Sequence, residues 1–118
     1  MIIKSFKDII AWQKAHELTL LVYKLTEKYP KIETFGLTSQ SRRCAVSVPS
    51  NIAEGFKRKS KNDTLHFYNI AEGSLEELKY QLLLAKDLKY IANEDYQQAM
   101  TLAEEAGRLI NGWKQTKI

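Results

Sequence analysis

Between residues 67 and 85 the chain places Phe67, Ala71, Leu75, Leu78, Leu82 and Ala85 at steps of four, four, three, four and three. Only an α-helix brings such positions onto one side, because three and four residues each complete about one turn. Ser60 or Asn62 offers a start signal, and no proline intervenes before Tyr90. The pattern therefore predicts an uninterrupted helix over roughly 60–90. A helix of that length with an apolar side needs other elements to cover it.

Three further stretches supply candidates. Ser5 and Asp8 form a capping-box-like pair ahead of Ile10, Leu18, Leu21, Val22, Leu25 and Tyr29, and Pro30 closes that helix. A second helix, starting near Thr34, carries Leu37, Cys44, Ala45, Val48, Ile52 and Phe56 on one face. A fourth, capped by Asn93, carries Tyr96, Met100, Ala103, Ile110 and Trp113. All three connections are short, so neighbouring helices should run antiparallel. The expected fold is all-α, an up-down-up-down four-helix bundle forming one domain over residues 1–118. Five Gly and two Pro are too few for an all-β fold with many tight turns.

The tetrapeptide IAEG occurs twice, at Ile52–Gly55 and Ile70–Gly73, and Pro49 precedes the first copy inside the second helix. A hairpin of helices 2 and 3 turning near residue 60 would set Pro49 opposite Ala71 and Gly73 opposite Ser47. Pro49 removes the hydrogen bond to the Ala45 carbonyl and bends helix 2; Ser47 or Ser50 is expected to serve the freed groups. Gly73 is expected to permit close packing there. The same register pairs Arg43 with Glu77, or with Glu76 one residue off, and Glu54 with His66. Arg43, Ser47, Asn51 and Glu54 form one polar stripe, read as a buried or interfacial network rather than a solvated surface.

Little in the sequence points to catalysis. There are two histidines, His16 and His66, and one cysteine, Cys44, on the apolar stripe of helix 2. The one histidine with a carboxylate a turn away, Asp63-x-x-His66, stands alone, whereas a di-metal bundle needs two such pairs. Glu72 and Glu76 share a helical face, which more often faces solvent or cations than performs acid–base work. We expect no catalytic residues, no metal and no cofactor. The N-terminus MIIKSFKDII has no signal-peptide core and no apolar run spans a bilayer, so the expected location is cytoplasmic.

Charge is unevenly spread. Residues 1–61 hold 12 Lys/Arg against 5 Asp/Glu, and residues 62–118 hold 6 against 9, within an overall +4. The densest run, Lys57, Arg58, Lys59 and Lys61, is the main candidate for binding a polyanion, with Arg42 and Lys4, Lys7 and Lys14 as extensions. Cations at the end of helix 2 also suit its dipole, and a solvated turn would look the same. In helix 3, Leu82, Leu83, Leu84 and Ala85 are consecutive, so it is apolar on more than one side. Either subunit contacts or three neighbouring helices cover it.

The stretches LTSQSRRCAVSVPSNIAEGFKR and FYNIAEGSLEEL, with WQKA at Trp12–Ala15, Tyr23 and Pro30, resemble the 23S rRNA intervening-sequence protein family. The resemblance implies a bacterial four-helix bundle assembling as a barrel-like homopentamer. It also implies kinship with the accessory protein of diversity-generating retroelements, a basic pentamer that binds nucleic acid and a reverse transcriptase. Glu72 departs from the pattern, which usually has a basic residue before the second Gly-Ser. The resulting expectation is a non-enzymatic homopentamer that binds RNA or DNA through phosphates without reading sequence. The rival is a scaffold that recruits a protein partner and touches no nucleic acid.

Overall fold

The computed structural model describes residues 2–118. Four helices, α1 (Ile10–Thr26), α2 (Leu37–Lys57), α3 (Lys61–Asp87) and α4 (Asn93–Gln115), pack in cyclic order, each against its chain neighbours and α4 against α1. The elongated bundle measures 43 × 25 × 20 Å. Its core takes Leu18, Val22, Val48, Ile52, Leu78, Leu82 and Ile110, each at most 1% exposed. Small residues let the helices approach: Ala11 and Ala15 on α1, Ala71 and Ala85 on α3, and Ala99, Ala103 and Ala106 on α4 are all buried.

The helix ends differ from expectation in instructive ways. The Ser5–Asp8 capping box forms, but it opens a single 3₁₀ turn, Phe6–Asp8, and α1 begins only at Ile10. Ile9 consequently enters the core while Ile10 remains 49% exposed. Helix α2 starts at Leu37, not Thr34, because a 3₁₀ turn at Lys31–Glu33 lets the Glu33 carboxylate accept the Leu37 N–H at 3.0 Å. Thr34 instead donates its hydroxyl to the Lys31 carbonyl. Ser60 caps α3 by accepting the Asp63 N–H. Helix α3 stops at Asp87 because Lys89 adopts a left-handed φ of 66°. The amides of Lys89 and Tyr90 then close onto the carbonyls of Lys86 and Ala85, the paired bonds of a Schellman ending. Asn93 is not a cap: it is the first residue of α4, and no side chain caps that helix.

Helices α2 and α3 form the most extensive pair. Their hairpin brings Ser47 to Ser74 (2.8 Å) and Cys44 to Glu77 (3.0 Å). This is one residue off the expected opposition, and that single step turns Gly73 outward, where an added Cβ would meet nothing within 4 Å. Gly73 therefore does not serve close packing. Gly55 does: a Cβ there would lie 2.6 Å from Cε1 of the fully buried Tyr68. Pro49 is buried within a continuous α2. The Ala45 carbonyl that it leaves without an intrahelical donor lies 2.9 Å from the Thr19 hydroxyl of α1. Thr19 divides its proton between that carbonyl and its own Ala15 carbonyl, also at 2.9 Å. The donor thus comes from the neighbouring helix, and not from Ser47 or Ser50.

Candidate nucleic-acid interface

An antiparallel bundle of four helices gathers the start of α1, the α2–α3 turn and the end of α4 at one end. The turn is rigidly built. The Gly55 carbonyl accepts the Arg58 N–H at 3.3 Å and the Thr64 hydroxyl at 3.1 Å, ending α2 and leaving Arg58 extended. Lys57, Arg58, Lys59 and Lys61 are all exposed. Arg58 is already engaged, 2.8 Å from the Glu54 carboxylate and 4.7 Å over the Phe67 ring. Lys57, Lys59 and Lys61 form no ion pair among the described residues.

Lys117 joins this group, which the sequence reading missed. It borders, with Arg58, Lys59 and Lys61, a 320 Å³ cleft floored by Phe56, Thr64 and Tyr68. Its ammonium rests 4.0 Å above the Trp113 ring. Trp113 is held in turn by donating its indole N–H to the Tyr68 hydroxyl at 2.8 Å. The signal was available in the topology, since an up-down-up-down chain returns its C-terminus to the end that carries the second turn. The N-terminal segment also lies here, packing on α2 and α4 and bringing exposed Lys4 and Lys7.

Two other expected cations do not belong to the cluster. Arg42 lies fifteen residues before Lys57 on α2, about 22 Å away along the axis at 1.5 Å per residue. There it donates to the Thr26 hydroxyl at 2.8 Å and covers the Tyr23 ring. Lys14 is taken up by Glu17 and Glu105, at 3.3 and 3.5 Å. Glu72, the departure from the family pattern, pairs with Lys114 of α4 at 2.6 Å. The acid at this position ties α3 to α4.

The polar stripe splits into parts. Ser47, Ser74 and Asn51 form a connected set, with the Asn51 amide donating to the Ser47 carbonyl at 2.7 Å and its hydroxyl at 3.0 Å. Arg43, however, is exposed and forms no ion pair among the described residues, so the expected Arg43–Glu77 bridge is absent. The Glu77 carboxylate instead accepts from the Cys44 thiol, because the one-residue offset puts Cys44 at that level. Glu54 turns to Arg58 and not to His66. Burial, reinforced by the adjacent Glu77 charge, raises the Cys44 thiol to about 12. A neutral thiol is thus favoured in the fold, a contribution complete below pH 9 and lost as pH rises toward 12. Cys44 is expected to resist a thiol reagent at pH 8 in the native protein and to react promptly in denaturant. Equal rates in both conditions would contradict this placement.

Apolar side chains remain exposed at several points, among them Ile2, Leu20, Ile32 and Leu88, and two further sets bear on assembly. Tyr23, Phe35 and Val46 line one groove on the outer side of α1 and α2, with Phe35 96% exposed. On α3, Ile70, Tyr80 and Leu83 face outward, so intramolecular neighbours do not cover this helix all round. Among the described residues no group of three or more His, Cys, Asp or Glu could hold a metal ion, and no helix is long and apolar enough to cross a membrane.

Residues 7–112 match the 23S rRNA-intervening sequence protein family. No curated protein matches the sequence. Among solved structures, the chain is similar to a protein of unknown function from the S23 ribosomal protein family of Bacteroides thetaiotaomicron. The two superpose with a TM-score of 0.84 at 24% identity, over 92% of this chain and 98% of the other, which establishes a shared fold.

Proposed function

This chain belongs to the 23S rRNA-intervening sequence protein family, and from that premise and the chemistry of its basic end we propose that it binds RNA or DNA through the phosphate backbone. The observation that carries this reading is the convergence of Lys59, Lys61 and Lys117 from two separate chain segments on one cleft, with no acid neutralising them. Ammonium groups without partners release condensed counterions when they meet phosphates, which favours binding at low salt. Among the aromatic side chains near this surface, Phe67 is covered by Arg58, Trp113 by Lys117 and Tyr68 is buried, which leaves Phe56 and no row of open rings for stacking successive bases. Sequence discrimination should accordingly be weak. The test is binding of mixed-sequence single-stranded RNA and duplex DNA measured across a salt series. Affinity should fall linearly on log–log axes and differ little between sequences. Absence of binding at low salt would overturn the proposal.

Assembly is part of the same reading. A groove with Phe35, Tyr23 and Val46, and a second helix with Tyr80 and Leu83 outward, are surfaces that a partner normally covers. Five copies in a ring would repeat the basic end five times and raise the density of positive charge. Sedimentation at micromolar concentration is expected to report a homopentamer. A monomer would count against the ring and assign the apolar groove to a different protein, which favours the recruiting-scaffold reading.

A further inference from the structure

Resting on the phosphate-binding reading above, we propose that the cleft between the α2–α3 turn and the end of α4 admits one unpaired nucleotide. Its base lies on Phe56 and its flanking phosphates meet Lys59, Lys61 and Lys117, so single strands are preferred to duplexes. The cleft holds 320 Å³, at the small end of the range for ligand sites and room for one base with its sugar. Its walls come from separate segments, Lys59 and Lys61 from the turn and Lys117 from just beyond α4. Helix α3 begins at Lys61, so the positive end of its dipole adds to the same rim. Neither nearby acid borders the cleft: Glu54 is taken up by Arg58 at 2.8 Å, and Asp63, in the first turn of α3, is not part of its lining.

The floor separates this cleft from a plain anion site. Arg58 lies 4.7 Å over the Phe67 ring, Lys117 lies 4.0 Å over Trp113, and Tyr68 is fully buried. Half-buried Phe56 is left as the one uncovered ring bordering the cleft. A single ring amid cations gives one base a stacking partner while the backbone crosses the charged rim, the combination that single-strand binders use. A base inside a duplex is paired and stacked on both faces, and could reach Phe56 only by leaving the helix. A duplex therefore touches the rim cations alone. An anion without bases would leave Phe56 unused.

Three probes of equal length, compared at one low salt concentration, test the assignment: oligothymidylate, the same backbone with abasic sites throughout, and the oligothymidylate–oligoadenylate duplex. The parent protein should bind the base-bearing strand about tenfold more tightly than the abasic strand, the effect of one stacked base. The duplex, despite its denser charge, should also bind about tenfold more weakly than the base-bearing strand. Phe56→Leu keeps an apolar side chain under the cleft but removes the ring. It should lower binding of the base-bearing strand to the abasic level and leave the abasic strand unchanged, with helical circular dichroism retained. Phe56→Tyr should keep the parent's preference. The abasic comparison is made on the parent protein, so it decides the matter whatever the stability of the variants. Equal affinity for base-bearing and abasic strands, a duplex bound as tightly as the single strand, or an unchanged preference in Phe56→Leu would each overturn the proposal while leaving the phosphate reading intact. Binding of none of the three probes would instead remove that reading, and this proposal with it.

Discussion

Gly55→Ala is expected to destabilise the protein by about 1–3 kcal/mol, while Gly73→Ala in the second copy of the same tetrapeptide stabilises it by up to about 1 kcal/mol. At Gly55 the new Cβ would sit 2.6 and 2.9 Å from Tyr68 ring carbons and 3.2 Å from the Thr64 carbonyl oxygen. Neither neighbour can yield easily. Tyr68 is fully buried with its hydroxyl bonded to Trp113, and Thr64 is held in the turn by its own bond to Gly55. At Gly73 the new methyl meets nothing, so what remains is the gain of replacing a flexible glycine inside a helix. Urea denaturation of both variants at one fixed protein concentration would decide it. Shifts of the same sign would show that the hairpin register is not as described.

Changing Lys57, Arg58, Lys59 and Lys61 together to Gln should remove most of the salt dependence of nucleic-acid binding, leaving the share that Lys117 contributes. If each cation of one subunit neutralises one phosphate of a single strand, the log–log slope is about −2.8. Raising salt from about 50 to 200 mM would then weaken the parent about 50-fold, whereas the variant would change little. Stability should move only slightly, because all four are exposed and the one ion pair lost, Arg58–Glu54, is a surface pair. Binding that survives the quadruple change with its slope intact would relocate the site away from the α2–α3 turn. Adding Lys117→Gln should reduce binding further, since it faces the same cleft from α4.

The helices and their inward faces were legible because apolar spacing is a direct projection of helix geometry. Leu18, Val22, Val48, Ile52, Leu78 and Leu82 fall where that spacing puts them. Errors gathered where a decision depends on a single residue step. Ile10 reads as inward by periodicity, yet a 3₁₀ turn ahead of it shifts the phase and substitutes Ile9. Tyr68, not the half-buried Phe67, is the central aromatic of α3. The equal-rise argument paired α2 and α3 to within one residue, but one residue is a rotation of about 100°. That was enough to exchange Gly73 for Ser74 at the contact and Arg43 for Cys44 beside Glu77. The charged turn could be read as a cluster; its completion by Lys117 depends on the far end of the chain, which local patterns do not encode.

Thr19 and Pro49 show that α2 is not a self-contained helix. Divided at its proline, it consists of a twelve-residue and a nine-residue segment, each at or below the length at which an isolated helix persists in water. The carbonyl exposed at the division finds its donor in a residue 26 positions earlier in the chain. A peptide of α2 alone must leave that carbonyl to solvent. In the bundle, burying it requires Thr19 to be in place at the same moment. The proline thereby makes the middle of α2 depend on α1 for a hydrogen bond that the helix cannot supply itself.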